Sequence, residues 1–448
     1  MNVINKKSFI INIVAFILLI SLFNSYYNAS FSIAIITFIL FVIYDFHQTR
    51  KIKSIKIPKQ VMQGIIVFFG SILISAFLSS DYENIRITWK LIYYSMPFFM
   101  LAYLNSCGNI QKGIKAGIIT VVIIGFALSF YQYFGLDMSR VKGLLRNASL
   151  SASGLSLLLP LFAYIFYKEI DKKTKILYFS FFMMTLFSIS LTKTRGIFIA
   201  IGVVFIILFI KKLNKIIWPL LIVAILCIYF SGEYLSIMQL VHRPYDMERL
   251  YAYQASIKMW LDNPWIGVGI GHWADLYKSI YFPVGAREHL VHAHNMYLFF
   301  LSSTGIIGFI GLVYFFFKVL KYLYLNSRSN VYYISGLSAI IIFMLHGIVD
   351  VPFIFKSTLR IFWTMLAIYI LPIFKADNYK FRSFTMPIKI IKILLAGLFA
   401  GHLLKANRVR SVARFSRAGW VMFFTAVKFF WLVFKYARQR DKELKKKL

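Results

Sequence analysis

The chain has 448 residues, 60% hydrophobic and 18% aromatic, with 15% charged residues and a mean hydropathy of +0.72. A soluble protein carries about 25% charged residues, so an ordinary soluble enzyme is excluded and an integral membrane protein is expected. The formal charge of +35, from 51 Lys and Arg against 16 Asp and Glu, would suggest nucleic acid in a polar chain. In one this apolar it indicates basic loops facing anionic membrane lipid or an anionic substrate, and no nucleic-acid partner.

A membrane-spanning helix needs about 20 mostly apolar residues. Such runs fall near 8–23, 28–45, 61–79, 89–106, 116–134, 148–167, 176–192, 196–210, 216–231, 296–317, 331–347 and 358–374. The predicted fold is therefore all-α and integral to the membrane, with about twelve transmembrane helices. The first run lacks a small-residue cleavage site and reads as a retained helix.

Orientation follows from Lys and Arg in the short loops. Lys6 and Lys7, the group Arg50 to Lys59, Lys168 to Lys175, Lys211 to Lys215, and Lys318, Lys321 and Arg328 all fall on one side. That side is the predicted cytoplasm, and it receives both termini. The opposite side holds Asp81, Glu83, the segment 135–147, Lys193 with Arg195, the long segment 232–295, and Asp350. The expected organisation is a polytopic membrane domain over 1–374, an outward loop at 232–295 within it, and a basic tail at 375–448. The tail carries 18 Lys and Arg against 3 Asp and Glu, contributing +15 of the +35. Its apolar stretches at 388–404 and 419–434 are expected to form helices on the cytoplasmic membrane surface. A further transmembrane hairpin would place Lys405 to Arg417 outside and Lys428 in mid-span. Cys107 and Cys227 have no metal-ligand spacing, and no structural disulfide is expected between them.

Arginine is the informative residue on the outward side, because its rigid donor fork suits phosphate while Lys acts as a point charge. Arg86, Arg243 and Arg287 have acids nearby at Glu83, Asp246 and Glu288 and read as ordinary loop arginines. Arg195, in Leu191-Thr-Lys-Thr-Arg195-Gly196, lies between two apolar runs. There it is either a functional charge or a side chain snorkelling to the interface. Arg249 opens a helical pattern reaching Trp260, amphipathic and suited to the membrane surface, which Pro264 terminates. The following Trp265-Ile-Gly267-Val-Gly269-Ile-Gly271 is no dinucleotide fingerprint, since no strand–helix unit surrounds it. It reads as a tight turn that lets backbone approach something closely.

His292-Ala293-His294-Asn295 precedes the tenth run. His289, Asp275 and Glu288 lie close in sequence, so a metal site is one reading. A general base beside arginines is the other and the preferred one. Ser302-Ser-Thr-Gly305-Ile-Ile-Gly308 offers small residues for close helix packing. Asp350, in Gly347-Ile-Val-Asp350-Val-Pro352, either orients a His or Arg partner or simply solvates a helix end.

The stretch Arg249 to Trp260, Asn263-Pro-Trp-Ile-Gly-Val-Gly269, and His292-Ala-His-Asn295 followed by Gly305-Ile-Ile-Gly308 resemble the O-antigen ligase and O-antigen polymerase superfamily. Leu191-Thr-Lys-Thr-Arg195-Gly196 and Gly347-Ile-Val-Asp350 resemble its ligase branch. The resemblance covers roughly 1–374 and leaves the tail unexplained. It implies a twelve-span, GT-C-like glycosyltransferase of the bacterial inner membrane, acting on the periplasmic face without a metal or other cofactor. Such an enzyme moves polysaccharide from undecaprenyl diphosphate to a sugar hydroxyl of lipid A–core. On that model His294 is the base, Arg195 and Arg249 hold the diphosphate, and Asp350 orients a partner. Arg140, Arg146, His292 and Asn295 are candidate substrate contacts. The polymerase branch and protein oligosaccharyltransferases share these motifs. A polysaccharide flippase would instead need a polar central cavity, often with repeat symmetry, and the sequence shows no internal repeat.

Overall fold

The computed structural model describes residues 3–23, 28–209, 244–328, 330–371, 373–374 and 383–386. The helices in chain order are α1 (Val3–Phe23), α2 (Asn28–Thr49), α3 (Lys59–Leu78), α4 (Tyr82–Tyr94), α5 (Met96–Cys107), α6 (Gln111–Phe130), α7 (Ala148–Ser156), α8 (Leu159–Lys168), α9 (Lys172–Leu191), α10 (Arg195–Phe209), α11 (Pro244–Asp262), α12 (Trp273–Ser279), α13 (Met296–Ser327), α14 (Val331–His346) and α15 (Lys356–Ile370). Strand β1 (Ile55–Pro58) pairs antiparallel with β2 (Ser383–Met386). This ties the start of the basic tail to the loop after α2.

The architecture is that of a helical membrane protein. Among the described residues, seven segments are long and apolar enough to cross a bilayer: Lys6–Phe23, Ser30–Thr49, Lys59–Leu78, Gln111–Gly135, Ala148–Lys168, Lys172–Leu191 and Met296–Ser327. The difference from the expected twelve has identifiable causes. The run at 216–231 lies outside the described residues, as do the two apolar stretches of the tail, which were not among the twelve, and the helix from the run at 196–210 is described over only 15 residues. Helices α14 and α15 have 16 and 15 residues, which at 1.5 Å per residue reach only about 24 Å, short of a hydrocarbon core of about 30 Å. The run at 89–106 is divided at Ser95, where Pro97 starts α5. Its first part belongs to α4, whose Glu83, Arg86 and Lys90 make it too polar to span. The run at 148–167 is divided into α7 and α8 but still counts among the seven, with Pro160 in the first turn of α8, a position proline tolerates well.

α15 and most of α5 are buried throughout and form the centre of the bundle. α3 runs along α13, and glycine lets the two approach: a Cβ on Gly311 would meet the Ser71 side chain, and one on Gly64 would lie 3.1 Å from Lys318 Cβ. Phe68, Phe315, Phe353, Phe362 and Trp363 make an aromatic cluster between α3, α13 and α15. Phe353 lies in the turn that follows Asp350, so this cluster anchors that turn.

The described part of the 232–295 segment contains two helices. α11 buries Ala252, Ala255, Ser256 and Met259, a stripe at helical spacing, and leaves Leu250, Ile257 and Leu261 exposed. The turn after it is built into α13. At Gly305 the backbone of α13 leaves helical geometry (φ 61°, ψ −170°), which frees carbonyls and amides on either side of the break. The Pro264–Gly271 turn takes them up: Val268 N–H donates to Ser302 O (2.9 Å), Gly269 N–H to Ser303 O (2.8 Å), and Ile306 N–H to Pro264 O (2.9 Å). Gly267 and Gly305 face each other there, both with positive φ, and a Cβ on Gly305 would lie 2.2 Å from the Trp265 backbone. The two glycine motifs are thus the two halves of one joint, and Gly305 serves this joint rather than the helix packing expected of it. A Gly305→Ala substitution adds backbone strain of about 1–3 kcal/mol and overpacking of about 1–3 kcal/mol. The expected result is a sharp loss of folded protein after detergent extraction, measured by the thermal unfolding midpoint; an unchanged midpoint would show that the joint yields.

Candidate active site

The site begins with the caps that position it. Asn295 accepts from the amides of Tyr297 (2.9 Å) and Leu298 (3.0 Å) and so caps α13. Its side-chain oxygen serves the helix. His294, just before it, adopts φ 49°, a left-handed conformation that costs a non-glycine residue about 1–2 kcal/mol. The Met296 amide donates to Gly347 O at 2.7 Å, which holds the start of α13 against the end of α14. Asp350 follows within that same turn. Tyr253 of α11 reaches the carbonyls of both His294 and Ile348, each at 3.4 Å. Three separate chain segments therefore meet at one point.

There, donor atoms of His292, His294 and Asp350 lie within 4.8 Å of one another, and the two imidazole rings are 4.2 Å apart. The two histidines are not equivalent. The His294 backbone N–H donates to His292 Nδ1 at 3.2 Å, so the neutral His292 ring carries its proton on Nε2 and presents a donor. Burial, followed by the neighbouring His292, pulls the His294 pKa down to about 4, with Asp350 opposing and Arg249 adding to the fall. Burial also lowers His292, against the pull of Asp350 and with that of Arg249. For Asp350, burial raises the pKa, but His346, the Ser149 hydroxyl, His292 and the Val351 amide outweigh it and keep the carboxyl below its usual range. These three side chains could hold a cation. The positive charge of Arg249, close enough to act on both imidazoles, opposes one.

Asp350 has partners that sequence reading did not find. Ser149 Oγ donates to Asp350 Oδ2. His346 lies against both Ser153 Oγ (3.0 Å) and Ser149 Oγ (3.5 Å). Ser149 and Ser153 are four residues apart on α7 and so share a face, while Asn147 caps that helix. The serine-rich Ser149-Leu-Ser151-Ala-Ser153 stretch was the available signal. It is easily read as a spacer inside an apolar run.

The expected arginines divide. Arg249, half-buried on α11, joins the histidines. Arg195 is exposed at the start of α10, and the adjacent Gly196 packs against Val349 and His346, which brings Arg195 beside the Asp350 turn. Lys193, in the turn before it, also has positive φ. Arg140 spends its Nε on Thr192 O at 3.0 Å, closing the end of α9. Arg146 sits on the loop before α7, within electrostatic reach of Lys356. Among the loop arginines, Arg86 pairs with Glu83 as expected. Arg287 does not show the expected partnership with Glu288. Instead the backbone amides of Arg287 and Glu288 both donate to the buried Glu248 of α11, at 2.8 and 3.2 Å. Arg243 lies outside the described residues.

A polytopic helical protein that gathers two imidazoles, a carboxylate and arginines at the end of its bundle is equipped to move a proton beside an anionic group. A family model described as O-antigen ligase matches residues 176–313, a stretch that contains Arg195, Arg249, His292 and His294. The match, confined to that stretch, supports membership of the O-antigen ligase/polymerase superfamily, whose members are glycosyltransferase-like enzymes acting on O-antigen with lipid-linked glycan substrates. No curated protein matches the chain.

Proposed function

We propose that the protein is an O-antigen ligase of the inner membrane. It transfers a glycan from undecaprenyl diphosphate to a sugar hydroxyl of lipid A–core on the periplasmic face, inverting the anomeric centre without a metal. The observation that carries this reading is the convergence of His294, His292, Asp350 and Arg249 at one end of the bundle. In the reaction His294 removes the acceptor hydroxyl proton. The freed oxygen pair attacks the anomeric carbon in line, and the bond from that carbon to the diphosphate oxygen breaks with its electron pair. Arg249 and Arg195 neutralise the departing diphosphate. Asp350, held by Ser149 and near His346, stabilises the imidazolium that His294 becomes, and His292 donates from Nε2. On this reading the chain comprises a membrane domain over 1–374, whose 232–295 segment carries Arg249, His292 and His294, and a tail beyond.

The test is transfer by the purified protein with both lipid substrates, in excess chelator and without an energy source. A product with long glycan on lipid A–core supports the ligase reading. Elongation of the lipid-linked glycan instead would show the polymerase reaction, and loss of activity on chelation would show a metal.

The pH dependence follows from the site. With its pKa near 4 in the free enzyme, His294 is neutral from about pH 5 upward and protonated only below about pH 4. The acid limb of kcat/KM is therefore expected below pH 5. A bound diphosphate offsets Arg249 and raises the imidazole pKa, so the acid limb of kcat lies higher. A kcat/KM limb centred near 6.5, the ordinary histidine value, would contradict this site.

A further inference from the structure

Arg360 lies one turn inside α15 and is only 7% exposed. Its guanidinium carbon is 3.9 Å from the ring centre of Phe31 on α2 and 4.7 Å from that of Tyr94 on α4. Tyr93 completes the aromatic surround through its edge contact with Phe31. The Arg360 Nε is buried without a hydrogen-bond acceptor. Among the described residues no carboxylate pairs with it, and the acid on the facing helix α4, Glu83, is taken by Arg86. Aromatic faces offset part of the cost of burying a charge, but an arginine inside a membrane protein normally finds an anion. A clamp for three helices needs no charge at all, since methionine would fill the same slot without desolvating a cation. Lys356 lies one turn earlier on the same face of α15, and Arg146 adds a third positive charge within electrostatic reach of it.

This group adjoins the site. Arg146 stands three residues before Ser149, and Lys356 six residues after Asp350. It is nevertheless built from elements other than those that carry Arg195 and Arg249. We propose that Arg360, with Lys356 and Arg146, forms a second phosphate-binding niche that seats the head group of a phosphate-bearing lipid. The arginine fork supplies directed donors and the other two cations supply field. Naming that lipid as the acceptor rests on the transfer reaction proposed above; its binding does not. A transferase with two lipid-anchored substrates needs two such seats beside one base, one for the departing diphosphate and one for the phosphate of the incoming lipid.

The experiment counts molecules of geranylgeranyl diphosphate bound to the full-length protein in zwitterionic detergent, by native mass spectrometry. The wild type binds two. Arg360→Met binds one, with at least tenfold weaker affinity at the lost position, and Arg360→Lys falls between. Two molecules bound to Arg360→Met with unchanged affinity would overturn the niche and leave the arginine a helix clamp. Equal displacement from the niche by inorganic diphosphate would overturn its assignment to a lipid. Arg249→Gln removes the other molecule; if it kept both while Arg360→Met lost one, the niche would stand and the donor assignment would fail. Should Arg360→Met not fold, Arg146→Gln combined with Lys356→Gln reads the same niche from its surface, and unchanged binding there overturns the proposal.

Discussion

Glycan transfer by the His294→Ala variant is expected to fall about 10²–10⁴-fold, the usual contribution of a general base, with the protein still folded. The substitution should spare the fold because His294 is a half-buried turn residue, and the helix start behind it is held by Asn295 and by the Met296–Gly347 bond. Alanine in the left-handed conformation that His294 adopts carries the same backbone strain, so the unfolding midpoint should move little. The comparison with His292→Ala decides between the two rings. His292 Nδ1 is already occupied by the His294 amide, so loss of His292 removes a donor and costs less than loss of the base. A larger loss in His292→Ala, or full activity in His294→Ala, would reverse or remove the assignment. Transfer is measured in detergent with both lipid substrates, and the midpoint is recorded on the same preparations.

Arg249→Gln is expected to lower kcat about 10²–10³-fold, comparable to removing one donor that stabilises a developing anion. Arg249→Lys should recover part of this, because it restores the charge but not the two-donor fork. The variant has a second readout. Arg249 is one of the groups that depress His294 and His292; removing its charge raises both pKa values toward the ordinary histidine value. The acid limb of kcat/KM should therefore move to higher pH in Arg249→Gln and stay in place in Arg249→Lys. A fall in activity without that movement would mean that Arg249 acts away from the histidines. If kcat were unchanged in both variants, Arg249 would not hold the leaving group.

Much of the site was legible in the sequence because its residues violate the local pattern. A charge such as Arg195 between two apolar runs has to be repaid by something, and two histidines at the mouth of a long apolar helix stand out against the same background. Proline after α11 and asparagine before α13 mark helix ends through rules that act within a few residues. Asp350 was readable as a candidate, with a histidine as its expected kind of partner. The partners themselves were not. His346 and Ser149 are separated by almost two hundred positions, and neither breaks a local rule: a serine and a histidine near the ends of apolar helices are ordinary. The hydrogen bonds of Asn295 and Arg140 were not legible either. Each bonds to backbone groups, which a linear reading does not distinguish from bonds to water.

By itself, the sequence determined that the chain belongs in a membrane and which polar residues would be costly enough there to need a purpose. Hydropathy, loop charge and capping depend on neighbours a few residues apart, and a linear reading contains them. Only the tertiary structure decided that the Pro264–Gly271 turn fills the break at Gly305, that the His294 amide takes up His292 Nδ1, and that Arg360 is buried between two rings with no carboxylate partner among the described residues. Each of these depends on which groups from distant segments are brought within a few ångströms, where burial makes hydrogen bonds and charges count.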